Sequence, residues 1–446
     1  MKKKLLSTLL CVSMVAASLV GCGAPKETAP AESAAPAATE AAPAATEAAP
    51  ATDAAAPAAG LAIEDGAELV YWSMWGETEP QGKVIQEAID AFTEETGVKV
   101  EAQFGSRETR KTLQPALDAG ETIDIFDEDI ERVNNTWGNY LMTLDDLYAA
   151  SGLDGKLNAT MIDLAKKVGG GSLKAIPYQP STFVVLYNKD IFNEAKITAV
   201  PKTWDEFLAA CEAIKASGKI PLTVDDAYMA AFFGYMMDRT IGFDATAKIA
   251  ADKTFTDPAV LKTAEAIQVL VEKGYIDPKA AGNVYPAGQS DIANGSVAMY
   301  LNGTWLPNEI KGQAPADFNW GAMALPGPIA DGGDGGESNQ FGSQCFAINK
   351  DSKYPNAAFA FIQYMVTGEW DQKLADESMG VPMANDAVWP VQLADAKAVL
   401  DSTTNRLSWA VGMEDDADVN AKLKTNLAKM IEGSMDAKGF AAAMQK

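Results

Sequence analysis

Glu68-Leu69-Val70-Tyr71-Trp72-Ser73-Met74-Trp75-Gly76-Glu77 opens the stretch that decides the fold, which runs on to Phe104. Residues 68–72 form an apolar run with aromatic and β-branched side chains, the signature of a buried strand. Ser73 to Glu77 then reads as a loop carrying an indole, Trp75, and a carboxylate, Glu77. Thr78 followed three residues on by Gln81 is a capping-box pattern that predicts a helix start. Val84, Ile85, Ala88, Ile89 and Phe92 fall on one helical face. Gly97 stands where a left-handed C′ residue belongs. Val98, Val100, Ala102 and Phe104 alternate with Lys99, Glu101 and Gln103, predicting a second strand. The whole is a βαβ unit, and its first loop lies at the carboxyl end of a parallel strand, where open α/β sheets bind ligands.

The same alternation continues along the chain. Thr122-Ile123-Asp124-Ile125-Phe126 reads as a strand followed by an acidic loop, Asp127-Glu128-Asp129, with Glu131 beyond. Dense acid at a strand end suits either a Ca²⁺ ion or ligand hydroxyls, although the EF-hand spacing with its central Gly is absent. Gln179-Pro180-Ser181-Thr182 reads as a crossover between two lobes, and Phe183-Val184-Val185-Leu186-Tyr187-Asn188 as a fully apolar strand. Thr203 and Glu206 form a second capping box, and Asp257-Pro258 starts a further helix. Val297 to Leu301 is a strand whose end leads through Asn302-Gly303-Thr304 to a second indole, Trp305. Asp331-Gly332-Gly333-Asp334-Gly335-Gly336 lacks the Gly-Lys-Ser/Thr of a phosphate cradle and reads as a flexible surface loop. The prediction is an α/β protein of two lobes with mostly parallel sheets.

Composition narrows the chemistry. The 446 residues carry 61 Asp and Glu against 36 Lys and Arg, a formal net charge of −25. A surface this acidic argues against nucleic acid as a partner. The absence of histidine removes imidazole metal sites, His general acid–base work and Ser-His or Cys-His pairs. Cys211 and Cys345 both sit in apolar surroundings and read as small buried hydrophobes. A disulfide between them is compatible with an exported protein, but sequence does not place them together.

The N-terminus reads as an export signal. Lys2, Lys3 and Lys4 precede an apolar segment, residues 5–20, too short for a resident transmembrane helix. It ends in Leu19-Val20-Gly21-Cys22, which resembles the lipobox of bacterial lipoproteins, in which the Cys is lipidated and becomes the mature N-terminus. Residues 23–65 follow as a tether, nearly all Ala, Pro, Thr and Glu, that cannot bury a core.

These features, with Tyr71-Trp72-Ser73, Ala91-Phe92-Thr93-Glu94-Glu95-Thr96-Gly97, Leu186-Tyr187-Asn188-Lys189-Asp190, Pro201-Lys202-Thr203-Trp204-Asp205-Glu206, Asn294-Gly295-Ser296-Val297-Ala298-Met299 and Asn302-Gly303-Thr304-Trp305, make the chain similar to family 1 of the extracellular solute-binding proteins of ABC importers, the maltose-binding-protein-like sugar-binding lipoproteins. The resemblance covers about residues 66–446. It implies a two-lobed periplasmic-binding-protein-like fold of the class II type, with crossovers near residues 178–183, 340–344 and 380–390 and a central ligand cleft. The N-lobe would comprise residues 66–180 and 343–385, and the C-lobe residues 181–342 and 386–446. Family binding positions map onto Trp75, Glu77, Asp127, Asp129, Tyr178, Trp305, Gly342 and Ser343, with Arg107 and Trp409 as further ligand contacts. The implied partners are a carbohydrate, transporter permease subunits and, through Cys22, the outer face of the cell membrane. A monomer with no cofactor, no catalytic residue and no metal is expected.

The chemistry is coherent without the family. Sugars present apolar C–H faces, on which aromatic planes stack, and hydroxyls, which pair with Asp, Glu, Asn and Arg. Two other readings use the same residues. Acidic loops with aromatics suit a polyamine or another cationic solute, and a pair of carboxylates without histidine suffices for a glycosidase.

Overall fold

The structure is a computed structural model and describes residues 61–445. Cys22, the signal segment and the tether up to residue 60 lie outside the described residues.

Among the described residues nine strands make up the sheet system: β1 Glu68–Ser73, β2 Lys99–Phe104, β3 Ile125–Asp129, β4 Ile176–Asn188, β5 Ile220–Thr223, β6 Val297–Gly303, β7 Trp320–Met323, β8 Ser338–Ile348 and β9 Asn405–Leu407. Their order is β2-β1-β3-β8-β4-β6-β5, with β7 beside β4 and β9 beside β8. The opening βαβ unit forms as read, β1 lying parallel to both β2 and β3. The expectation of mostly parallel sheets is corrected, because β8 runs antiparallel to β3 and to β4, and β4 runs antiparallel to β6 and β7. The reason lies in β4 and β8, of 13 and 11 residues. Each is about twice the usual strand length and serves two cores in turn.

Those cores are distinct. One gathers β1 to β3, the helix Pro80–Thr96 and the helix Pro355–Met365, and includes Tyr178, Phe346 and Phe361. The other gathers β5 to β7, the helix Met229–Ile241 and the C-terminal helices, and includes Phe183, Phe233 and Phe440. Along β4 the chain passes from the first core at Tyr178 to the second at Phe183. Phe341 and Leu400 pack in the first core and Val381 in the second, each on the opposite side from its expected lobe. Trp389 touches both.

Local readings fare unevenly. The helix Pro80–Thr96 buries Val84, Ile85, Ala88, Ile89 and Phe92, and Gly97 ends it at φ 76°. Its start differs from the capping box: Glu79 is the N-cap and Pro80 the first helical residue. Proline is pre-organised for that position, and the Glu79 carboxylate is drawn instead to the Gly76 N–H and to Arg107. The Thr203–Glu206 capping box is present, and Asp257 caps the helix Pro258–Glu272.

The Gly-rich loop is not free. Arg239 is fully buried on the helix Met229–Ile241. Its guanidinium donates to Asp238, to Asp334 at 2.8 Å, to the carbonyls of Leu325 and Ser338, and to Asn339. The loop is thereby stapled to the second core. Cys211 and Cys345 are free, buried, and divided between the two cores. Among the described residues no helix is long and apolar enough to cross a membrane.

Candidate functional site

The carboxyl ends of β1 and β3 hold the first indole. Trp75 donates its Nε1–H to the Tyr178 hydroxyl at 2.7 Å, and Tyr178 in turn donates to Asp127 Oδ2. The other Asp127 oxygen accepts the Met74 N–H at 2.8 Å. Tyr178 stacks on Phe346 with ring centroids 4.1 Å apart. Behind the indole the Arg107 guanidinium lies 4.6 Å from the ring centroid, held by the Met74 carbonyl at 3.0 Å and by Glu79 at 2.9 Å. Burial pushes the Asp127 carboxyl up to about 7, against the opposing pull of the bonds from Tyr178 and Met74. Tyr178 and Arg107 thus hold the ring directly, and Asp127 and Phe346 hold Tyr178.

The second indole stands past the end of β6. Trp305 lies across Gly303, where an added Cβ would meet the ring at 2.3 Å; only glycine admits that approach. Its Nε1–H donates to Tyr228 at 3.2 Å, and its ring centroid is 6.2 Å from that of Trp409 and 6.1 Å from that of Phe183. Trp409 donates to Glu414 at 2.8 Å and is followed by Ala410 and Val411, both in the left-handed region at φ 47° and 58°. A β-branched residue there is a backbone outlier of the kind that clusters at functional sites. Tyr228, Tyr285 and Tyr300 complete the aromatic group. Tyr300 donates to the buried Asp225 at 2.7 Å. None of the three tyrosines stands out in the sequence, because each falls inside an ordinary apolar or turn segment.

Between the two indoles lies a cavity of about 60 Å³. Trp75 and Trp305 line it together with Gln81, Gln179, Gln344 and Ser378. Gln179 sits in the left-handed region at φ 48°, at the irregularity where β4 passes from Tyr178 to Pro180. Its amide donates to Ser378 at 2.7 Å across the neighbouring Gly380, whose missing Cβ makes room for it. A larger cavity, about 920 Å³, opens at the opposite ends of β1 and β2, lined by Glu68, Lys99, Asp124, Tyr140 and Lys353. It lies at the amino ends of the parallel strands and has no indole, so the smaller cavity is the candidate site.

The expected site residues divide. Trp75 and Trp305 line one cavity, and Trp409 backs Trp305. Tyr178 is a correction: it has no exposed surface, and its hydroxyl is held between Trp75 and Asp127, so it orients Trp75 and does not line the cavity. Glu77 is exposed and does not line the cavity, and the acid that holds the loop of Trp75 is Glu79. Asp127 is a correction: it has no exposed surface, and both oxygens are engaged, so it positions Tyr178 instead of touching a ligand. The acidic loop is a correction too, since β3 runs through Asp129. Asp129 caps the helix Ile130–Trp137, accepting from the Glu131 and Arg132 N–H groups. The buried Glu128 is paired bidentately with Arg110 at 2.8 and 2.9 Å. Among the described residues no group of three or more Cys, Asp or Glu is placed to hold a metal ion. Ser343 is buried and donates to the Tyr178 carbonyl, which ties β8 to β4. Gly342 faces Arg406 and Asp129. Arg406 itself gave no signal in the sequence; it joins the two cores through Glu131 at 2.8 Å and the Phe341 carbonyl at 2.7 Å.

The diacetylchitobiose binding protein NgcE of Streptomyces coelicolor is 29% identical over 223 residues, 46% of each chain. The multiple sugar-binding protein of Streptococcus mutans is 28% identical over 277 residues, 58% of this chain and 64% of that one. The chain thus spans about half to two-thirds of the length of these relatives. Among solved structures, a chitin oligosaccharide binding protein superposes with a TM-score of 0.65 at 22% identity, covering 86% of this chain and 98% of that one. A probable secreted solute-binding lipoprotein from Streptomyces coelicolor gives 0.70 at 18%, covering 85% and 97%. These likenesses show the two-lobed solute-binding fold. The model of the bacterial extracellular solute-binding proteins matches residues 75–372, and the chain belongs to that family.

Proposed function

We propose that this protein captures a sugar or oligosaccharide between its two lobes and delivers it to the permease subunits of an ABC importer. The observation that carries the reading is that Trp75 from the first core and Trp305 from the second line one cavity at the crossover strands. Two indoles facing a common space offer a sugar ring two apolar planes, and the amides between them serve its hydroxyls. Two relatives are named for the sugars they bind, which supports this reading. Lobe closure would turn on β4, β8 and the segment around residues 380–390, a hinge arrangement in which a few strand-end residues absorb the motion.

The ligand is held and released unchanged. The three carboxylates at the end of β3, Asp127, Glu128 and Asp129, are occupied by Tyr178, Arg110 and the helix Ile130–Trp137. Tethering to the membrane would come through Cys22; Cys22→Ala would release the protein into the medium with its affinity intact.

A thermal-shift screen against mono- and oligosaccharides tests the function, because ligands that bind the folded state raise its melting point. Stabilisation by one sugar class supports the reading. Stabilisation by spermidine but by no sugar, with affinity falling steeply with salt, would replace it with the cationic-solute reading.

A further inference from the structure

Asp225 has no exposed surface, and among the described residues no Lys or Arg pairs with it. Its carboxylate is held by neutral donors. The Tyr300 hydroxyl donates to Oδ2 at 2.7 Å, and the Gly288 N–H donates to Oδ1 at 2.7 Å. The approach to Gly288 is so close that an added Cβ there would stand 2.9 Å from Oδ1. A buried carboxylate without a cation is destabilising, and such groups concentrate where function requires them. The Asp225 carbonyl also accepts the Tyr228 N–H at 2.9 Å, and the Tyr300 ring stands edge-on to the Tyr228 ring with centroids 6.0 Å apart. Tyr228 is thus held at its backbone by Asp225 and at its ring by the tyrosine that Asp225 holds. The Tyr228 hydroxyl then takes the Trp305 Nε1–H at 3.2 Å.

The layout repeats that of the first indole. Trp75 stands two residues past the end of β1, and Trp305 two residues past the end of β6. β3, a parallel neighbour of β1, carries Asp127. β5, the parallel neighbour of β6, ends two residues before Asp225. In each lobe an indole N–H meets a tyrosine hydroxyl, and a buried aspartate at the neighbouring strand stands behind it. In the first lobe one tyrosine, Tyr178, makes both bonds. In the second the two bonds are divided, Tyr228 taking the indole and Tyr300 the aspartate, with a ring contact between them.

We propose that Asp225 is the positioning residue for Trp305, acting through Tyr300 and Tyr228 as Asp127 acts on Trp75 through Tyr178. For affinity this rests on the sugar-capturing reading above; for the orientation of the ring it does not. A residue that only stabilised the lobe would change the unfolding midpoint and leave the indole where it is.

The test uses the full chain. The near-ultraviolet circular dichroism of wild type less that of Trp305→Phe gives the band of this indole. Asp225→Ala and Tyr300→Phe should each lose the band while still unfolding cooperatively in urea. Asp225→Asn should restore it, because an amide still accepts from Gly288 and bonds Tyr300. Tyr300→Phe carries the test should Asp225→Ala fail to fold. Calorimetry then uses the tightest binder among maltotriose, cellotriose, diacetylchitobiose and raffinose. Tyr300→Phe should lower its affinity by about tenfold with Trp305 present, and by about twofold or less when Trp305 is already Phe, since residues that act through one another are not additive. An unchanged indole band in both Asp225→Ala and Tyr300→Phe, or an equal affinity loss in the two backgrounds, overturns the inference and leaves sugar capture intact. Should none of the four saccharides bind wild type, it is the sugar-capturing reading that fails, and the indole band alone decides the role of Asp225.

Discussion

The indole of Trp75 and the hydroxyl of Tyr178, 103 residues apart in the chain, are joined by a 2.7 Å hydrogen bond that ties the first loop of the fold to the crossover strand. Tyr178 passes the restraint on to Asp127 at the end of β3. The ring that faces the cavity is therefore oriented by the same strand that carries the chain between cores.

Tyr178→Phe would cut this chain of bonds at its middle. The ring would still stack on Phe346, but the Trp75 Nε1–H and one Asp127 oxygen would lose their partner. Leaving buried polar groups unpaired costs about 1–3 kcal/mol each. Urea unfolding should show a loss in that range, and sugar affinity should fall as the indole loses its fixed orientation.

Asp127 gives the protein a pH signature. Burial raises its carboxyl from 3.8 to about 7, so between those values the folded state binds a proton that the unfolded state has released. Stability therefore falls as pH rises from about 4 to about 7, and this contribution is fully present below the unfolded value. Asp127→Asn removes the titration. The difference in unfolding free energy between wild type and variant should change by about 4 kcal/mol across that window and be flat below it. An equal slope in both proteins would count against the assignment.

Arg239 should behave as the anchor of the Gly-rich loop. Arg239→Leu leaves Asp238 and Asp334 buried without their cation, a change that commonly costs about 3–5 kcal/mol. Limited proteolysis should then cut within residues 331–336, a site protected in wild type. Cleavage at equal rates in both would show that the staple does not hold the loop.

Gly303→Ala tests how Trp305 is seated. A Cβ at this position would stand 2.3 Å from the ring, so the indole must swing away. Near-ultraviolet circular dichroism should change, and affinity for the sugar should drop by about tenfold or more, the loss of part of an aromatic anchor. A native spectrum with native affinity would contradict the packing.

Much of this was legible in the sequence. The βαβ opening, the Thr203–Glu206 cap and the two indoles past strand ends all rest on local signals that tertiary structure preserved. What was not legible depends on partners distant in the chain. Asp127, Glu128 and Asp129 look alike in sequence, yet Tyr178, Arg110 and a helix N-terminus give them three different tasks. Arg239 lies in an apolar helical run that gives no hint of Asp334, 95 residues on. Gln81 occupies what reads as half of a capping box, and only the assembled lobes bring it to the lining of a cavity with Gln179 and Gln344.

The central claim is that Trp75 and Trp305 together grip one sugar. Calorimetric titration of the best-binding oligosaccharide into wild type, Trp75→Ala, Trp305→Ala and the double variant tests it most directly. Each single change should cost about 2 kcal/mol of binding, roughly thirtyfold, and the double variant should depart from additivity, because the two rings contact the same ligand. Wild-type affinity in the double variant would contradict the account.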